Sequence, residues 1–260
     1  MNLPPDKFYS ARVTHRADIA PDLWMVRINP GGDFRFQPGQ YATLGVEDPQ
    51  KQKLVERAYS IVSAPHEPEL EIFIELVPQG ELTPLLYKLH PGAELAMRKV
   101  PKGRFTLDTK SGRKNHLLLC TVTGVAPFVS YIRSLGKDAR EGKFAGEHHL
   151  YVINAASRSH EFGYREEFEE AAKAFPWLTY VASISRPWED ADWKGETGRV
   201  EDLVRKYADA WGLDGSNTSA YLCGHPQMID NSKGILFRRG FPKDAVREEV
   251  YWIPAKEAQS

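Results

Sequence analysis

The chain has 260 residues, a net charge of −1, 42% apolar residues and 27% charged residues. That size suits one large domain or two medium ones, and the balance is that of a soluble globular protein, not a disordered one. The near-zero charge argues against a nucleic-acid-binding protein, which needs a clear basic excess. No apolar run reaches the length of a membrane span. Met1–Asp6 lacks the basic and apolar regions of a signal peptide, so a cytoplasmic protein is expected.

Two cysteines, Cys120 and Cys223, lie far apart in apolar runs, no C-x-x-C occurs, and the eight histidines show no H-E-x-x-H spacing. No metal or iron–sulfur centre is expected. Any redox chemistry must therefore come from an organic cofactor.

The first hundred residues read as short strands cut by Pro and Gly. Strands are predicted at 8–16, 23–29, 40–46, 57–64, 70–77 and 93–99, with turn signals at Pro30-Gly31-Gly32, Pro38-Gly39, Pro65, Pro78-Gln79-Gly80 and Pro91-Gly92. Six strands so spaced predict an antiparallel β-barrel. One helical piece, Thr83–Leu89, interrupts them, and the N–H groups at its start, near Gly80 and Thr83, suit an anion.

The period then changes. Strands are predicted at His116–Cys120, His149–Ala155, Leu178–Ser185, Ala220–Cys223 and Glu249–Trp252. Helices are predicted at Pro127–Leu135 with Gly136 past its end, Tyr164–Phe175, Val200–Trp211 and Pro226–Arg239 closed by Gly240. Strands alternating with helices predict crossover units and a parallel sheet. The polar stretch 108–115 marks the boundary, giving a first domain at 1–110 and a second at 111–260.

Arg57-Ala58-Tyr59-Ser60 is the most informative segment. On a strand, Arg57 and Tyr59 project from one face, and Ala58 and Ser60 from the other. The segment combines a guanidinium fork for phosphate, a flat aromatic platform and a hydroxyl beside it. A flavin dinucleotide needs all three. An amphipathic strand with a solvated arginine would read the same way.

The order of motifs along the chain resembles the ferredoxin–NADP⁺ reductase family, especially the bacterial ferredoxin/flavodoxin–NADP⁺ reductases. Arg57–Ser60 is similar to the family's flavin motif and Gly80-Glu81-Leu82-Thr83 to its pyrophosphate turn. Thr121-Val122-Thr123-Gly124-Val125-Ala126-Pro127-Phe128 resembles its pyridine-nucleotide loop. Ser185-Arg186 and Gly198-Arg199-Val200 resemble its 2′-phosphate site. Tyr221–Met228, with Cys223, Gly224 and Gln227, and Glu249-Val250-Tyr251-Trp252 resemble its two C-terminal motifs. The chain departs from the pattern at Val122, where glycine is usual. A Cβ there limits close backbone approach to a pyrophosphate or costs strain.

The resemblance implies a six-stranded Greek-key barrel that holds FAD non-covalently through Arg57, Ala58, Tyr59, Ser60, Phe73 and Gly80–Thr83. The Rossmann-like α/β domain after it would bind NADP(H). Thr121, Thr123, Gly124 and Pro127 belong to its nucleotide loop, and Ser157, Arg158, Ser185, Arg186 and Arg199 to its phosphate end. Two guanidinium groups and a hydroxyl favour NADP over NAD. Hydride would pass between nicotinamide C4 and flavin N5, with Ser60, Cys223, Glu249 and Tyr251 at the reacting edge. Cys223 would act by packing. Tyr251 would cover the flavin face opposite Tyr59 and swing away for the nicotinamide, and Trp252 would stack on the FAD adenine. Tyr164 would stack on the nucleotide's adenine or belong to the core.

Single electrons would go to a ferredoxin or flavodoxin, drawn to basic residues among Lys99, Lys102, Arg104, Lys110, Arg113, Lys114, Arg238 and Arg239. A monomer with no membrane or nucleic-acid partner is expected. A partner-free NAD(P)H:flavin or quinone-type reductase, and a flavin-binding relay subunit, are the alternatives. The tail Ile253–Ser260 would restrain Tyr251 and slow turnover, or be disordered.

Overall fold

A computed structural model describes residues 4–251. Contacts divide the chain into two compact units, one of Met1–Leu107 with Ala126–Ala145 and one of Asp108–Val125 with Gly146–Ser260. The chain thus passes between units three times.

In the first unit, β1 (Phe8–Ala20), β2 (Leu23–Asn29), β3 (Tyr41–Asp48), β4 (Lys53–Ser60), β5 (Leu70–Glu75) and β6 (Glu94–Arg98) pair antiparallel in the order β4-β3-β6-β1-β2-β5. This curled sheet turns back on itself just after β4. Ile61 bridges Ile72, and Val62 N–H donates to Glu71 O at 2.9 Å. Alternate residues such as Ala11, Val13, Leu44, Val55 and Ile72 face inward and form one core with Trp24 and Leu82. The expected barrel strands are present, with the fourth beginning at Lys53 and ending at Ser60. The short helix α1 (Thr83–Leu86) is one turn, with Pro84 in its first turn.

The helix α2 (Ala126–Arg140) groups with this first unit. Ala126–Ile132 are buried without interruption. Ser130 Oγ donates to Ser63 O at 2.7 Å, and the Tyr131 hydroxyl donates to Phe105 O. Arg133 pairs with Glu67 at 3.3 Å and with the buried Glu71 at 3.1 Å. Gly136, expected past the helix end, lies buried inside it. Burial against neighbours outweighs glycine's helix cost here.

The second unit is a parallel sheet of β7 (Asn115–Thr121), β8 (His149–Ala156), β9 (Leu178–Ile184), β10 (Glu196–Thr197), β11 (Thr218–Gly224) and β12 (Val246–Val250) in the order β10-β9-β8-β7-β11-β12. Its helices are α3 (Arg165–Ala174), α4 (Val200–Ala210) and α5 (Pro226–Arg238). Strand β10 is only two residues long and was not expected. The last strand lies at Val246–Val250 and not at 249–252; Trp252 and the tail to Ser260 lie outside the described residues. Among the described residues, no helix is long and apolar enough to cross a membrane.

The strand order reverses between β7 and β11, because β8 follows β7 on one side and β11 flanks it on the other. In open α/β sheets such a switch point, at the carboxyl ends of the strands, is where ligands bind.

Candidate functional site

In the first unit, the candidate residues gather around β4 and the loop after β5. Arg57 is exposed and its Nη2 donates to Glu81 Oε2 at 2.8 Å. Lys51 and Lys53 approach the other oxygen of the same carboxylate, at 2.9 and 3.6 Å. Hydrogen bonds from Lys51 and Arg57 hold the Glu81 carboxyl down at about 2.

Tyr59 packs partly on the barrel core, and burial pushes its phenol up. Ser60 is buried, whereas Ala58 is exposed. Phe73 is only 4% exposed, so its ring offers almost no open face. Leu82 is buried as an anchor of the loop. The Gly80 N–H, expected to await an anion, is instead donated to Val77 O at 2.8 Å. The Thr83 hydroxyl both accepts from Val77 N–H at 2.9 Å and donates to Val77 O at 3.1 Å. These bonds fix the turn as a rigid hook that carries Glu81.

In the second unit, the switch point is a glycine cradle. The single-turn segment Val122–Val125 follows β7 and leads into Pro127. A Cβ on Gly124 would stand 2.2 Å from Cys223 O, and one on Gly224, whose φ is +127°, would stand 2.3 Å from Thr121 Oγ1. Only glycine permits this approach. The Thr121 hydroxyl accepts from His225 N–H at 2.9 Å, which ties the two loops together. Gln227 is exposed in the first turn of α5. Val122 has φ +43°, a left-handed conformation that a β-branched residue rarely adopts. The strain expected of a Cβ at that position is present.

Cys223 is buried, paired in register with Cys120 on one side and Glu249 on the other. Burial pushes its thiol well up and the charge of Glu249 adds to this, while a hydrogen bond from Tyr251 opposes it. A thiol so placed stays protonated. The Tyr251 hydroxyl also donates to Thr123 O at 3.3 Å, so this half-exposed ring lies against the nucleotide loop.

The phosphate-end residues gather at the carboxyl ends of β8 and β9. Arg158 pairs with Glu189 at 2.6 Å and with Glu161 at 3.2 Å. Arg186 approaches Glu189 at 3.6 Å. Ser157 N–H donates to Glu161 at 2.8 Å, and Ser185 N–H to Ala156 O at 3.0 Å. Arg199 is exposed before α4, its N–H donated to Asp202 at 3.2 Å. Tyr164, considered for adenine stacking, is buried in the core. Trp188, between Arg186 and Glu189, is 75% exposed.

Sequence reasoning missed Lys51, Lys53, Trp188 and Glu189. Only the Lys-x-Lys at the β3–β4 hairpin carried a signal, as two cations just before Arg57. Within the expected basic cluster, Arg113 pairs with Asp244 and Arg239 with Asp209, each at 2.8 and 2.7 Å respectively. Lys102 and Arg104 remain exposed in the first unit.

A barrel carrying a cation cluster, followed by a parallel sheet with a glycine cradle at its switch point, defines a flavin- and pyridine-nucleotide-dependent oxidoreductase. The family models agree: the oxidoreductase FAD-binding domain matches residues 10–107 and the oxidoreductase NAD-binding domain residues 118–234. The flavodoxin/ferredoxin–NADP reductase of Shigella flexneri is 30% identical over 202 residues, 76% of this chain and 77% of that protein. The ferredoxin–NADP reductase of Azotobacter vinelandii is 31% identical over 246 residues, 88% of this chain and 92% of that protein. A ferredoxin NADP⁺ reductase from Neisseria gonorrhoeae, solved with FAD and NADP, shares the fold at a TM-score of 0.79 and 22% identity, covering 95% of this chain and 99% of that one. The chain belongs to the ferredoxin/flavodoxin–NADP reductase family, whose cofactors are FAD and NADP(H).

Proposed function

We propose that this protein exchanges electrons between NADP(H) and a ferredoxin or flavodoxin in the cytoplasm, as a monomer. The observation that carries the reading is the close approach of Thr121 and Gly124 to Cys223–Gly224, in a chain whose other unit gathers three cations, Lys51, Lys53 and Arg57, on Glu81. The donor set fits FAD. Lys51, Lys53 and Arg57 supply charge for a pyrophosphate, Tyr59 a ring face and Ser60 a hydroxyl. FAD held there would supply a centre for hydride exchange and single-electron transfer.

The chain's own residues prepare that exchange. Thr121, Thr123, Gly124 and Pro127 let backbone approach the nucleotide's pyrophosphate at the start of α2. Arg158, Arg186 and Arg199 face the 2′-phosphate, with Ser157 and Ser185 beside them, and Trp188 offers an indole face to the adenine. Cys223 stays a neutral thiol and packs against the nicotinamide. Tyr251 releases the Thr123 carbonyl to admit it. Glu249 supplies a carboxylate one strand away from Cys223. Lys102 and Arg104 begin the docking face for an acidic partner.

The test has two parts. Anaerobic NADPH should bleach the flavin band of the yellow protein, and no bleaching would sink the enzyme reading. Ferredoxin or flavodoxin should raise cytochrome c reduction. A rate indifferent to both would favour a partner-free reductase.

A further inference from the structure

Glu81 is the one carboxylate that touches Arg57, Lys51 and Lys53 together among the described residues. The other acid nearby, Asp48, is largely spent. Its Oδ1 accepts from Gln50 and Lys51 N–H at 2.9 and 3.2 Å, and its other oxygen is 4.0 Å from Lys51 Nζ. Three cations therefore converge on a single anion whose position the backbone fixes. The Val77–Thr83 bonds and the buried Leu82 hold the turn, while the Glu81 side chain itself is 39% exposed. A turn held by its own hydrogen bonds thus bears a partly exposed carboxylate with water on one side. The same cations are those that suit a flavin pyrophosphate.

We infer that Glu81 is an internal stand-in for the flavin's pyrophosphate: it gathers Lys51, Lys53 and Arg57 in the flavin-free protein and competes with FAD for them. This rests on the flavin-binding reading above. Three like charges within reach of one point repel one another, and the Glu81 carboxylate offsets that repulsion. When a pyrophosphate approaches, the same carboxylate repels it and must rotate away. Each exposed ion pair is individually weak, so the exchange is readily reversible. The two roles give Glu81→Gln opposite effects on two observables. A residue that merely props the loop would move both in one direction.

Flavin-free wild-type protein and Glu81→Gln are titrated with FAD, and separately with riboflavin, which has no phosphate. E81Q is expected to bind FAD about tenfold more tightly, with riboflavin affinity unchanged, and to melt about 2–4 °C lower when flavin-free. Inorganic pyrophosphate should raise the melting temperature of flavin-free E81Q more than that of wild type. Glu81→Asp, which keeps the charge, should stay near wild type, and Glu81→Ser gives a second neutral variant should E81Q fail to fold. Equal or weaker FAD binding in the neutral variants, or equal tightening for riboflavin, overturns the inference and leaves the flavin reading intact. Failure of wild-type protein to bind FAD overturns both.

Discussion

The flavin unit and the nucleotide unit both set guanidinium groups where a phosphate is expected, and they balance that charge differently. In the first, Arg57 and two lysines meet Glu81. In the second, Arg158 and Arg186 meet Glu161 and Glu189. The flavin side keeps positive charge to spare, whereas the nucleotide side has one carboxylate for each of those two arginines.

Their interiors differ in the same sense. The barrel buries the carboxylate of Glu71 between Arg27 and Arg133. The parallel sheet buries an imidazole pair, His116 Nε2 to His148 Nδ1 at 2.8 Å, beside Tyr221. One half compensates its buried group with opposite charge; the other keeps its buried group neutral. Exposed spare charge makes anion capture on the flavin side salt-sensitive.

The largest expected effect breaks the flavin side alone. Arg57→Ala should weaken FAD binding by about 10- to 100-fold, the range for a charge-assisted hydrogen bond. The affinity for 2′,5′-ADP should be unchanged. Fluorescence titration of each ligand checks this, and parallel losses would mean that the two sites do not behave separately.

Acid should break the nucleotide side first. Burial, reinforced by His148, lowers the His116 imidazole to about 3. Between about pH 6.5 and 3 the unfolded chain binds a proton that folded His116 refuses, so stability falls as pH falls through that window. The slope is about 1.4 kcal/mol per pH unit, or about 2 kcal/mol from pH 6.5 to 5. Urea midpoints at pH 7 and pH 5 should converge in His116→Gln relative to wild type.

Charge balance at the nucleotide end is sharpened by Glu189→Gln. It removes the carboxylate that Arg186 meets, leaves Arg158 with Glu161, and takes away an acid suited to a ribose 2′-hydroxyl. The ratio of kcat/KM for NADPH over NADH should rise about tenfold. An unchanged ratio would show that Glu189 does not take part in selection.

The smallest effect concerns backbone strain. Each unit has a non-glycine residue with positive φ, Gln52 at +50° in the β3–β4 hairpin and Val122 at +43°. Only Val122 is β-branched. Val122→Gly should stabilise the protein by about 1 kcal/mol, the left-handed penalty less glycine's entropy, and shift the thermal midpoint by about 2–4 °C.

What was legible in the sequence was chemistry carried by short segments. Thr121–Pro127 and Cys223–Pro226 announced tight strand-to-helix turns because backbone conformation is local, and Val122 announced its strain for the same reason. The alternation of strands and long helices after residue 115 announced the parallel sheet. What stayed hidden depends on distant residues meeting. Glu81 finds Lys51 and Glu189 finds Arg158 across loops, and no pattern at either position signals the pairing. Tyr164 opens a helix, where a stacking role and a core role look alike until burial decides. Two-residue β10 is too short to leave a period, and Gly136 mimics a helix stop that packing overrides.

Helix α2 carries a practical consequence for anyone wishing to cut the protein apart. It lies beyond Asp108 in the chain yet buckles the barrel through Ser130 and Arg133. A fragment ending near residue 110 would take Arg133 from the Glu71 carboxylate and leave the Ser63 carbonyl without its Ser130 donor. Swapping flavin modules between such reductases therefore calls for transplanting residues 126–145 along with the strands.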